Sequence, residues 1–178
     1  TVTINSPSQV LAHTQQQVFA GTGTVSFANG GIISPGWWGF SSGGTAAANA
    51  DAYNASTNSL PSTGGVVIIP PTGNAHQVDD TLTHGNKPIS LIGAHPDLCI
   101  IESTATASLK HGLTFTRSHH IKNLTIKTSA SLASNYDMYG VRMNLDGATV
   151  SGGNQAVKWE SVKVRGFNNS FYIDGGDA

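Results

Sequence analysis

Short apolar runs recur along the chain, each closed by Gly, Asn, Ser, Asp or Pro. From residue 66 they are VVIIP (66–70), ISLIG (89–93), CIIES (99–103), GLTFT (112–116), NLTIK (123–127), GVRMN (140–144), ESVKVRGF (160–167) and SFYID (170–174). Their length and their content of Val, Ile, Leu and Phe predict β-strands, and no helical periodicity interrupts them. In GGVVIIPPTG (64–73) four β-branched residues stand together, as in a strand buried on both faces. The proline pair then stops it, because proline donates nothing to a sheet ladder. Before residue 36, TVTI, QQQVFAGTGTVSFA and GGIISP read as short, half-exposed strands. The segment TAAANADAYNASTNSL (45–60) predicts a short helix, with Thr45 as N-cap and Ala47, Ala50, Tyr53, Ala55 and Leu60 on its apolar face.

Two-residue hairpin signals between neighbouring runs are scarce, and a loose repeat takes their place. GLTFT, GVRMN and NSFYI begin at 112, 140 and 169, while IKNLTI (121–126) and WESVKV (159–164) form a second matched pair. Recurrence on this scale is that of a solenoid, whose passes stack at about 4.8 Å with inward side chains aligned. A solenoid exposes an apolar cross-section at its first pass, and the Ala-rich helix is the natural plug for it.

Composition narrows the class. Charged residues are 11% of the 178, well below the usual quarter of a globular domain, whereas Gly reaches 21 and the polar surface is built from Ser, Thr, Asn and Gln. The net charge of −1 offers no basic footprint for nucleic acid, and no apolar run has the length of a membrane span. The pattern fits a β-rich extracellular or virion protein. Cys99 is alone, so no disulfide staples the chain.

The order PGWWGF (35–40), AAANADAYNAS, STGGVVIIPPTG, ISLIGAHPD resembles the opening of the pectate-lyase-like right-handed parallel β-helix superfamily. In particular it resembles the module that opens many phage tailspikes and secreted bacterial polysaccharide-active proteins. HGLTFTRSHHIKNLTIKTS and WESVKVRGFNNSFYI resemble its middle passes, so the likeness covers about residues 35–174. It implies an all-β fold, a right-handed single-stranded parallel β-helix with a short capping α-helix. The expected divisions are linker strands over 1–35, an aromatic turn and capping helix over 36–62, and the first coils over 63–178. The absence of an initiator Met adds the expectation of a lost or processed N-terminus, and a likeness confined to the cap and first coils, with the strand pattern still running at FYIDGGDA, that of an N-terminal part of a longer protein. The resemblance further implies a homotrimeric tailspike or tail-fibre protein of the virion that contacts other tail proteins and recognises, and in full length depolymerises, a bacterial surface polysaccharide such as capsule or O-antigen. A secreted lyase or glycoside hydrolase of the same superfamily, with its active site beyond residue 178, and a non-catalytic adhesin are the alternatives.

Chemistry-bearing residues are few. Glycoside hydrolysis needs two carboxylates roughly 5–10 Å apart. Glu160, Asp174 and Asp177 fall in the last pass, with Asp146 in the one before, although Asp beside Gly is also plain turn chemistry. Trp159 and Tyr172 are the candidates for stacking on sugar rings, ahead of Trp37, Trp38, Tyr136 and Tyr139, which suit packing equally well. His119 and His120 are adjacent and would point to opposite faces of a strand, and neither HxH nor HExxH is present, so no metal site is expected. No phosphate loop or other cofactor motif is present. NAS (54–56), NLT (123–125) and NNS (168–170) match the glycosylation sequon, as Asn-rich turns do by chance.

Overall fold

A computed structural model describes residues 1–84, 86–106, 111–129, 138–144 and 157–174. The fold is predominantly β, and every pairing among the described strands is parallel. β1 (Val2–Ile4) and β2 (Val25–Phe27) pair with each other in the lead-in segment. β3 (Ile32–Ile33) follows, then a 3₁₀ turn over Pro35–Trp38, and helix α1 (Ala46–Ser59). Ten strands follow among the described residues: β4 (Gly65–Ile68), β5 (Ala75–Val78), β6 (Leu82–Thr83), β7 (Ile89–Ile92), β8 (Ile100–Ser103), β9 (Leu113–Phe115), β10 (His119–Thr128), β11 (Tyr139–Asn144), β12 (Val157–Arg165) and β13 (Asn169–Asp174). The sequence pattern anticipates all of them except β5 and β6, whose AHQV and LT are too short and too polar to stand out.

These strands form three ladders. The first runs β3, β4, β7, β10, β12, the second β5, β8, β10, β12, and the third β6, β9, β11, β13. β10 and β12 serve two ladders because each bends in its middle. Asn123 and Ser161, the residues left out of an otherwise continuous β10–β12 register, have φ of 55° and 52°. A left-handed residue turns the strand and reverses the inward–outward alternation, and Asn tolerates that conformation better than most side chains.

Inward rows of the ladders make the core. Ile33, Val67, Leu91, Ile121 and Trp159 are successive partners in the first, Leu82, Leu113, Val141 and Phe171 in the third. The first four of one row and the first three of the other are buried. The matched pair IKNLTI and WESVKV aligns as expected, Ile121 with Trp159 and Ile126 with Val164. In the third ladder Leu113 meets Val141, but Val141 meets Phe171, one residue later than the GLTFT–GVRMN–NSFYI spacing implies. The first ladder starts earlier than the GGVVIIPP run: Ile32 and Ile33 already pair with Val66 and Val67. Gly64 has φ +77°, and a Cβ there would lie 1.7 Å from the Pro88 carbonyl oxygen, so the GG pair is needed where two passes touch.

Helix α1 starts at Thr45, whose hydroxyl accepts from the Ala48 N–H at 3.3 Å, as the N-cap signal predicts. Its buried face differs from the expected one. Ala47 and Ala55 are exposed, and the buried residues are Asn49, Ala50, Ala52, Tyr53, Ser56, Thr57 and Ser59. That face is polar because it is hydrogen-bonded. Asn49 Nδ2 donates to the carbonyls of Ser41 and Gln77, both at 2.9 Å, and its Oδ1 accepts from the Ser41 N–H. A hydrophobicity pattern cannot register a face satisfied in this way.

The far end of α1 is closed by a lysine. Lys87 Nζ donates to the carbonyls of Thr57 (3.0 Å), Asn58 (2.9 Å) and Leu60 (2.6 Å) at the helix C-terminus, where the Thr57 oxygen also accepts from the Leu60 N–H. Desolvation holds its pKa below the usual lysine value. Lys87→Met keeps the aliphatic stem and removes these bonds. It is expected to cost about 1–2 kcal/mol and lower the melting temperature by roughly 2–8 °C, read by thermal circular dichroism.

An aromatic column threads the core from the helix to the last described strands. Ring centroids run Phe40 to Tyr53 (6.0 Å), Tyr53 to His84 (5.7 Å), His84 to Phe115 (4.2 Å), Phe115 to His119 (3.8 Å), His119 to Trp159 (6.0 Å) and Trp159 to Phe171 (4.2 Å). Two of its members are buried imidazoles, His84 and His119.

Candidate functional site

Of the sequence-predicted site residues, Trp159 and Glu160 lie on β12 and Tyr172 and Asp174 on β13. Alternation along a strand decides what each can do. His119 lies inward against Phe115, while its neighbour His120 points outward, as two adjacent strand residues must. On β12, Lys158 and Glu160 lie outward and Trp159 turns inward. The Trp159 indole N–H donates to His119 Nε2 at 3.0 Å and its ring stacks on Phe171, so it extends the core column and presents little face to solvent.

Glu160 is surrounded by an imidazole and two lysines. Its carboxylate lies 2.7 Å from His120 Nε2, 3.0 Å from Lys158 Nζ and 3.6 Å from Lys122 Nζ. The bond from Lys158, followed by that from His120, pulls its pKa down to about 2. A carboxyl so firmly ionised is suited to accepting hydrogen bonds and holding lysines in place; a general acid of glycoside hydrolysis needs its pKa raised. Beside it, Pro88, Ser90, Ser118, His120 and Lys158 line an open cavity of about 340 Å³.

Tyr172 is exposed and stacks on Tyr139 of the preceding pass, ring centroids 4.3 Å apart and planes 11° from parallel. Tyr139 in turn lies 5.1 Å from His111, and His111 Nε2 is 3.3 Å from Arg142 Nη1. Tyr172 is thus the exposed ring of this group, with Tyr139 and Arg142 half-buried behind it and His111 buried beneath, so a ligand ring could stack on Tyr172 alone. Asp174 ends β13 opposite Asn144 in register. Asp177, Asp146 and Tyr136 lie outside the described residues. Trp37 is buried, and Trp38 packs between it, Phe19 and Phe27. Phe19 and Trp38 also border a cavity of about 470 Å³ between the lead-in segment and α1, with Asp51 at its edge.

Reading the sequence singles out Glu160 and Tyr172 but misses what surrounds them. His120, Lys122 and Lys158 meet at Glu160 because His120 is the register partner of Lys158 and Lys122 of Glu160; beyond the bend Lys127 is the partner of Arg165 and Lys163 of Thr125. The signal was present in the IKNLTI–WESVKV match, which aligns outward positions as well as inward ones.

Among the described residues no group of three His, Cys, Asp or Glu side chains is placed to hold a metal ion, and no helix is long and apolar enough to cross a membrane. Comparison with protein-family models, with curated proteins and with solved structures yielded no match.

Proposed function

We propose that the chain is the cap and first coils of a right-handed parallel β-helix of the pectate-lyase-like kind. In this reading it belongs to a homotrimeric tailspike or tail-fibre-like protein of a virion and serves recognition of a bacterial surface polysaccharide. The observation that carries the reading is the set of in-register parallel ladders. A chain that returns repeatedly to the same three ladders winds as a coil, and parallel crossovers within one sheet are right-handed in nearly all cases. Winding leaves a ridged outer face of regular spacing, which suits a polymer of repeating sugars.

Helix α1 covers the first passes through Tyr53 and Asn49 and so acts as the plug that a solenoid requires. The ionised state of Glu160 is at odds with the general-acid role and leaves it an acceptor of hydrogen bonds. The test is direct. The 178-residue protein is titrated against purified capsular and O-antigen polysaccharides by surface plasmon resonance, with reducing-end release and sedimentation followed in parallel. Saturable binding without sugar release is expected, from a trimer. A protein that binds none of a broad panel of such glycans would sink the reading.

A further inference from the structure

Helix α1 is held by its docking more than by its own sequence. Asn, Asp, Ser, Thr and Tyr fill more than half of Ala46–Ser59, and it has no Lys, Arg or Glu to form ion pairs along its length. Tyr53 is the only large apolar side chain that it buries. Hydrogen bonds fasten it to the first passes. Asn49 reaches the Gln77 carbonyl, Asn54 Oδ1 accepts from the Thr83 N–H at 3.1 Å, and the Thr57 hydroxyl donates to the Thr83 carbonyl at 3.1 Å. The Tyr53 hydroxyl donates to His84 Nε2. An element fastened by a few polar contacts and little apolar area belongs to the low-stability end of a fold.

Only the last of these contacts has a titratable acceptor, and its surroundings give a proton nowhere to sit. His84 is 2% exposed, and its Nδ1 is buried without a partner among the described residues. Tyr53 faces it from α1, and burial raises the phenol's pKa, so the hydroxyl stays protonated and donates. Phe115 of β9 faces it edge-on, and beyond Phe115 stands His119 of β10, whose own charge would repel a second one. The charged groups nearest in the chain are Asp51 on α1, Asp79 and Asp80 in the turn between β5 and β6, and Lys87 at the helix end. The three carboxylates are exposed, and none of the four bonds to His84 among the described residues. A proton on Nε2 would make the Tyr53 oxygen the acceptor and leave the hydroxyl hydrogen without one.

The order of the aromatic column decides which part gives way. His84 lies directly beneath Tyr53, whereas His119 is one layer deeper behind Phe115, and His76 stacks against Phe40. Lifting α1 lets water reach His84 and leaves His119 covered. We propose that α1 is an acid-released plug: protonation of His84 breaks its bond with Tyr53 and undocks the helix while the coils beneath stay folded. Release uncovers the edges of β5 and β6, which pair with no further described strand on that side, together with the buried Val78 and Leu82. Such an edge accepts another strand, so acid turns a closed end into one open to association. The inference rests on the docked helix and stands apart from the glycan reading.

The test is hydrogen exchange of the 178-residue protein at pH 7 and pH 5, read by mass spectrometry and expressed as protection relative to the unstructured rate. Amides of α1 are expected to be less protected than those of β10 and β12 at both pH values. One proton taken up on release, by a group held down to about 3 while docked, lowers α1 protection roughly 25-fold between pH 7 and pH 5. His84→Gln, which can accept from Tyr53 and does not titrate, is expected to flatten that change. Equal protection of α1, β10 and β12 at each pH would overturn the proposal, because the helix would then open only with the whole chain. So would α1 protection that does not fall with pH, or a fall that survives in His84→Gln. The first two outcomes are read on the unaltered protein and hold whether or not the variant folds.

Discussion

Taken from pH 7 to pH 5, the protein is expected to lose on the order of 4 kcal/mol of stability, at a slope near 2–3 kcal/mol per pH unit. The cause is the pair of imidazoles in the core column. Burial holds His84 down to about 3, with the nearby His119 adding to the effect, and burial holds His119 down to about 4. An unfolded chain takes up both protons as pH falls through about 6.5, and the folded chain refuses them until far lower. Stability is therefore full above about 6.5 and drains away as pH falls toward the folded values. The hydrogen bonds explain the refusal. His119 Nδ1–H donates to the Arg117 carbonyl at 3.3 Å, which leaves Nε2 to accept from the Trp159 indole N–H. A proton on that nitrogen would face another donor. In the same way His84 Nε2 accepts from the Tyr53 hydroxyl, the contact between the helix and the column. His76, also lowered by burial, adds to the trend. The measurement is urea unfolding across pH 4–8. His84→Gln, which keeps an acceptor for Tyr53 but cannot titrate, is expected to remove about half of the slope near pH 5. A stability flat from pH 7 to pH 5 would show that neither imidazole is buried neutral.

Phe115→Ala is expected to cost about 3–5 kcal/mol, a large share of the stability of an ordinary domain. Phe115 is 1% exposed and stands between the two imidazoles, edge-on to His84 and stacked on His119. Removing the ring leaves a cavity at the centre of the column and admits water beside two groups whose neutrality depends on its exclusion. The acid slope should therefore become shallower in the variant even as its stability at pH 7 falls. Phe115→Leu fills most of the space and is expected to lose only about 1–2 kcal/mol. Denaturant midpoints at pH 7 and pH 5 for the three proteins test both effects. An alanine variant that loses less than the leucine one would mean that the column does not bear on stability.

The strands and the helix were legible in the sequence because their signals are local. Val66 to Ile69, Ile89 to Ile92 and Ile121 to Ile126 are dense in β-branched residues, Pro70 and Pro71 stop one of them, and Thr45 marks the helix start. Even the pairing of 121–126 with 159–164 could be read, since stacked passes bury like residues at like positions. Three things could not be. The polar buried face of α1 needs Gln77 and Ser41 brought to Asn49 before it makes sense. The inward turn of Trp159 depends on which parity of β12 meets the core, and the bend at Ser161 reverses that parity halfway along the strand. The neighbourhood of Lys127 and Arg165, far apart in the chain, exists only because the two are partners in a parallel ladder. Sequence alone determined which segments extend and where they stop, since those depend on each residue and its nearest neighbours. Tertiary structure decided what each side chain faces, because that depends on register, and register is set by long-range packing.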